Sequence, residues 1–117
     1  MQETANLDAV FLAMADPTRR AILARLAKGE ATVMELAEPF SMTQPAVSQH
    51  LKVLEGAGLV ISRVDGARRP RRLAAAGIDA MERWLAMLRA GLEGSYDRLD
   101  AVLASMEVPK KKKGRRS

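Results

Sequence analysis

The chain has 117 residues, 48% of them hydrophobic and 28% charged, which suits one globular domain with a core of its own. It has no cysteine, which excludes disulfides, thiolate metal ligands and cysteine nucleophiles and fits a reducing cytosol. No apolar run approaches the roughly 20 residues that span a bilayer, so a membrane partner is not expected. The opening MQETANLDAV has no basic region followed by an apolar core and does not read as a secretion signal; a cytoplasmic protein is expected.

The net charge of +5 is unevenly placed. The terminal KKKKGRRS carries six positive charges, which leaves residues 1–109 at −1. Within them, residues 41–72 hold six basic and two acidic side chains, a local excess of +4. A concentrated basic stretch in a near-neutral domain points to a polyanionic partner.

Leu7, Val10, Phe11 and Met14 follow helical spacing and predict a first helix over residues 5–14. Asp16 caps a second, with Pro17 in its first turn, Ile22, Leu23 and Leu26 on its buried face and Gly29 as its stop. Thr32 and Glu35 form a capping box for a third, which Pro39 limits to about two turns. Thr43 then caps a fourth, in which Val47, Leu51 and Leu54 make one apolar stripe and GAG at 56–58 is the stop. LVISRV reads as a strand, Asp65-Gly66 as a hairpin turn, and ARRPRRLA as a returning strand with Pro70 at an edge. From Ala75 to Met106 a single long helix is predicted, with Ile78, Met81, Leu85, Leu88, Leu92, Leu99, Val102 and Met106 at 3-4 spacing and Gly91 and Gly94 as local weak points. One helix cannot bury that seam against itself, so a second copy of the chain is the simplest cover. The fold expected is mainly α with a small two-stranded β-wing, residues 1–109 forming the domain and residues 110–117 a basic disordered tail.

The fourth helix poses the functional question. Its free face carries Gln44, Ser48 and Lys52 on one line and Pro45 and Gln49 on the next, where Glu and Lys are usual on an exposed helix. A helix that approaches base edges needs short hydrogen-bonding side chains. A Gln amide both donates to and accepts from adenine, and Ser pairs with several bases. Two short helices joined by a tight turn, followed by a basic hairpin, give the order of a winged helix-turn-helix DNA reader.

TQPAVSQHLKVLEGAGLV resembles the recognition helix and the start of the wing in the ArsR family of winged-helix transcriptional repressors. MADPTRRAILARLAKGEATVMELAEPF and GARRPRRLAAAGIDAM are similar to the segments on either side in that family. The resemblance covers residues 7–106 and implies a homodimer, joined through its first and last helices, that represses a small operon from an imperfect palindrome. Carried over by position, it implies base contacts from Gln44, Ser48 and Gln49, and phosphate contacts or supporting roles for Thr43, His50 and Lys52. Arg63, Arg68, Arg69 and Arg71 complete the DNA-binding set, the last three at or near the wing tip. Leu7, Val10, Phe11, Met14, Ile78, Met81, Leu85, Leu88, Leu92, Leu99 and Val102 form the dimer interface.

Thiolate sensors of the family place cysteines on the third helix, which has none here. The zinc type pairs Asp with His on the last helix, where Asp79, Glu82 and Asp97 have no histidine near them. No metal or other cofactor is expected. His50, the only histidine, reads as a packed or hydrogen-bonded edge residue ahead of a direct DNA contact, and Trp84 as a core or interface anchor. Arg19 and Arg20 could pair with acids, touch phosphate or simply face solvent. With no nucleophile–base pair and no phosphate loop, an enzyme is not expected. Two alternatives stay open: a winged helix used for protein contacts, and a regulator with a small-molecule pocket near the dimer interface. No inducer can be named.

Overall fold

The computed structural model describes residues 6–94, 100 and 103–105. Five helices and two strands run in the order α1 (Leu7–Met14), α2 (Pro17–Leu26), α3 (Val33–Phe40), α4 (Gln44–Gly56), β1 (Val60–Ser62), β2 (Arg71–Leu73) and α5 (Ala75–Leu92). By its internal contacts the chain divides into two compact units, Met1–Met81 and Glu82–Ser117.

Each helix start follows from a local side-chain-to-backbone bond. Asn6, which the sequence reading passed over, caps α1 by accepting from the Ala9 N–H at 3.0 Å. Asp16 Oδ2 accepts from the Arg19 N–H at 2.9 Å, and that bond, the largest influence on it, holds its carboxyl below the usual range. The Thr32–Glu35 capping box is complete, with the Thr32 N–H on Glu35 Oε1 at 2.8 Å and the Glu35 N–H on Thr32 Oγ1 at 3.3 Å. Pro39 lies inside the last turn of α3 and does not end it. The stop is Ser41, whose left-handed φ of 54° lets its N–H and that of Met42 close onto Glu38 and Ala37.

Arg19 and Arg20 finish α1. The last carbonyls of a helix have no partner within it. Here Arg19 donates to Leu12 O at 3.0 Å and Ala13 O at 2.9 Å, and Arg20 to Met14 O at 2.7 Å. Neither arginine pairs with an acid among the described residues.

The core of the first unit is Val10, Ile22, Leu36, Val47, Leu51, Leu54, Leu59 and Val60, all essentially inaccessible to solvent. The α4 helix packs on α1, α2, α3 and β1, and so sits at its centre. Val10, expected at the dimer interface, is 0% exposed and lies in the protomer's own core. Met14, Ile78 and Met81 are half-buried against the same core, whereas Phe11 and the unanticipated Leu12 are exposed on α1.

In the wing, Val60 pairs with Leu73, Ile61 with Arg72 and Ser62 with Arg71, antiparallel. The hairpin closes with Asp65 opposite Arg68 and Gly66 at φ +63°, so the central turn residues are Gly66 and Ala67, one position later than Asp65-Gly66. Ala31 pairs with Arg71 through both backbone bonds (2.8 and 3.1 Å), tying the wing base to the segment before α3. Pro70, placed by the sequence at a solvent-facing edge, is buried, and its carbonyl accepts from Arg63 N–H at 3.1 Å.

Gly77 seats the first turn of α5. Its N–H donates to Gly58 O at 2.7 Å, and a Cβ there would lie 2.8 Å from Ala57 O, 2.9 Å from Leu59 Cδ2 and 3.0 Å from Gly58 O. Two of those neighbours are backbone oxygens and cannot swing aside. Gly77→Ala should therefore lower stability by about 1–3 kcal/mol, the cost of overpacking, despite the better helix propensity of alanine. Chemical denaturation checks this; an unchanged or higher midpoint would show that the turn can open.

The single helix expected over residues 75–106 is corrected as well. The α5 helix ends at Leu92, and Gly94 adopts φ +72°, a left-handed conformation that leaves the helix and that glycine takes without strain. Helical geometry returns at Asp100 and residues 103–105. In the second unit Ala90 is buried, Trp84 and Met87 are half-buried, and Leu85, Leu88 and Leu92 are exposed. Leu99, Val102, Met106 and the basic tail at 110–117 lie outside the described residues, as does the lower boundary of the domain at residue 1. No helix among the described residues is long and apolar enough to cross a membrane.

Candidate nucleic-acid interface

The α4 helix has two unlike faces. Val47, Leu51 and Leu54 are fully buried, and their packing fixes how the helix is rotated about its axis. The opposite face presents Gln44, Pro45, Gln49 and Lys52 to solvent, with Ser48 half-buried beside them. Thr43 is exposed, but its hydroxyl accepts from the Ala46 N–H at 3.2 Å, so its principal work is capping. The turn from Ser41 to Thr43 holds α3 against α4, the spacing of a helix-turn-helix. A shallow depression at that turn, lined by Met34, Glu38, Met42 and Gln44 among others, has no enclosing wall and leaves the start of α4 open.

His50 is half-buried at the edge of this face, with Nδ1 3.4 Å from Arg19 Nη1. Its ring thus meets an arginine of α2.

The wing arginines fall into two groups. Arg63 makes a bidentate pair with Glu30 at 2.8 and 2.9 Å, and that contact holds the Glu30 carboxyl below its usual range and raises the guanidinium. Arg68 lies 3.7 Å from Asp65 and 3.9 Å from Glu35. Arg71 turns inward: only 17% of its side chain is exposed, and it donates to Glu55 of α4 at 3.2 Å and to Arg69 O at 2.7 Å. Its expected place at the wing tip is corrected, since it braces the wing base against α4. Arg69 and Arg72 are exposed, and their side chains have no ion pair among the described residues. Arg72 was not among the predicted contacts; strand alternation, with Arg71 and Leu73 turned in, is the signal that would have found it.

No group of three His, Cys, Asp or Glu side chains able to hold a metal occurs among the described residues.

A buried-face helix held by a tight turn, its polar side free and a basic hairpin at its end, defines a winged helix-turn-helix DNA-binding domain. Residues 16–62 match the family described as bacterial regulatory protein, arsR family. Over 74 residues the chain is 50% identical to the HTH-type transcriptional regulator Rv2034 of Mycobacterium tuberculosis, covering 63% of this chain and 69% of that one. It is 43% identical over 51 residues to the transcriptional repressor SdpR of Bacillus subtilis, covering 44% of this chain and 57% of that one. The solution structure of the homodimeric winged helix-turn-helix DNA-binding domain Mb0332 of Mycobacterium bovis, described as a possible ArsR-family regulator, is similar with a TM-score of 0.57. It is 32% identical and covers 74% of this chain and 82% of that one. The chain belongs to the arsR family: it is a transcriptional regulator with a DNA-binding winged helix, not an enzyme.

Proposed function

We propose that the protein is a cytoplasmic homodimeric repressor that binds an imperfect palindrome through two copies of α4. The observation that carries this is the division of α4 into a buried Val47–Leu51–Leu54 stripe and a free face bearing Gln44, Ser48 and Gln49. Half-site centres would lie roughly 34 Å apart, one helical turn of DNA. Lys52, Arg69 and Arg72 are the exposed cations suited to phosphate. Arg63 and Arg68 must first exchange their carboxylates for phosphates. Repression and self-association are supported by the SdpR relative and the homodimeric neighbour.

Gln49→Ala should weaken binding to the preferred duplex by about 1–3 kcal/mol, the value of one good base contact, and leave the oligomeric state unchanged. An equilibrium titration against that duplex checks this; unchanged affinity would remove Gln49 from the reading face. Deleting residues 110–117 should flatten the dependence of affinity on salt if the tail neutralises phosphates, since log K changes by about −0.9 per phosphate per decade of salt. An identical slope would show that the tail stays off the DNA.

A further inference from the structure

The DNA-reading face is explained by α4 itself, but the position of that face relative to α1 and α2 is not. One side chain bridges all three. Arg19, in the first turn of α2, sends Nε to Ala13 O and Nη2 to Leu12 O at the end of α1, and Nη1 to His50 Nδ1 on α4 at 3.4 Å. Its own N–H is held by Asp16 Oδ2 at 2.9 Å, which anchors the arginine backbone at the helix start. A guanidinium is planar and offers donors in a fixed fork, so two bonds to α1 leave the third nitrogen little freedom in where it points. It points at the reading helix.

We propose that Arg19 is a positioning residue for DNA reading, acting through His50 to set α4 against the end of α1; this rests on α4 being the reading helix. Arginine has no acceptor, so the contact requires Nδ1 to be the unprotonated nitrogen and places the ring proton on Nε2. His50 precedes Leu51 and follows Gln49, so a bond at its ring fixes one edge of the helix. The hydrophobic stripe fixes rotation about the axis; the Arg19 contact limits how far the helix can tilt about its middle, where Gln49 and Lys52 lie on either side of His50. Base-edge hydrogen bonds tolerate displacements of only about half an ångström, so a small loss of tilt is felt in sequence reading before it is felt in folding. The Asp16 carboxylate beside Arg19 is occupied as the α2 cap.

The test uses the full chain and a DNA duplex that the wild-type protein selects from a random-sequence pool. Arg19→Gln and His50→Phe should each lower affinity for that duplex about tenfold, within the range of coupled contacts, and the double variant should lose no more than either alone. His50→Gln, which keeps an acceptor oxygen, should lose less than His50→Phe. The salt slope should stay the same in all of them, because no phosphate contact is removed. Additive losses, a slope reduced by about one, or full affinity in Arg19→Gln would each overturn the proposal. If Arg19→Gln does not fold by circular dichroism, the nitrogen NMR spectrum of the wild-type ring decides: a proton on Nε2 supports the bond and a proton on Nδ1 overturns it. Gln49→Ala in the same titration separates the two levels. If it too keeps full affinity, the reading face is wrongly assigned; if it alone loses affinity, only the role of Arg19 fails.

Discussion

Leu51→Ala should destabilise the protein by about 2–5 kcal/mol, the range for a buried leucine truncated in a core that relaxes only partly. Leu51 is 1% exposed and belongs to the cluster with Ile22, Leu36, Val47 and Leu54. The α4 helix packs on four other elements, so a cavity at Leu51 opens within the core of the first unit. A small domain holds only about 5–15 kcal/mol in total. The melting temperature should therefore fall by roughly 10 °C or more, at about 4–8 °C per kcal/mol. Two residues away, Gln49→Ala should change stability by no more than about 0.5 kcal/mol, because an exposed side chain loses little on truncation. The pair separates the two jobs of one helix: Leu51 acts on folding and Gln49 on DNA. Thermal unfolding of both variants checks this. A Leu51→Ala protein within about 1 kcal/mol of wild type would mean that the core around α4 is looser than its burial indicates.

The same contrast separates the features that are legible in the sequence from those that are not. Asp16, Thr32 and Thr43 were found as caps because each bonds a backbone N–H three residues on, and that spacing is written in the sequence. Val47, Leu51 and Leu54 were found because burial of one helix face imposes a period. The reading face followed as the remainder of that helix. Contacts between distant segments leave no such trace. Nothing local ties Arg63 to Glu30, Arg71 to Glu55 or Arg19 to His50, which lie 33, 16 and 31 residues apart. Arg71 is the example: its charge is visible in the sequence, and its partner Glu55 is not. Gly77 escaped notice because its need for no side chain arises from the α4–β1 turn pressing on it.

The expected single helix over residues 75–106 failed for a different reason. Its apolar spacing continues through Leu85, Leu88 and Leu92, yet Gly94 turns the backbone to φ +72° just beyond. Periodicity reports which side chains seek cover; it does not report whether the backbone stays helical between them. The first continuous helical run ends at Leu92, and Val10 belongs to the protomer's own core.

What remains of the seam bears on the largest functional effect expected. Leu85, Leu88 and Leu92 on α5 are 52%, 47% and 79% exposed, and Phe11 and Leu12 on α1 are 38% and 67% exposed. Burying one leucine fully contributes about 1.5–3 kcal/mol, so a symmetric contact that covers Leu85, Leu88 and Leu92 of each copy would yield a stable dimer. Leu85→Glu with Leu88→Glu would instead place four carboxylates in that contact, each having to shed water without a partner. The double variant should be monomeric in sedimentation equilibrium while its first unit stays folded, because neither leucine belongs to the buried core of that unit. Affinity for a two-half-site duplex should then fall by about a hundredfold or more, since the second half-site is no longer bound as an intramolecular event. Affinity for a single half-site should not change. A variant that remains dimeric would move the interface elsewhere on the protein. A monomer that binds the full site as tightly as wild type would show that one copy suffices and that the palindromic reading is wrong.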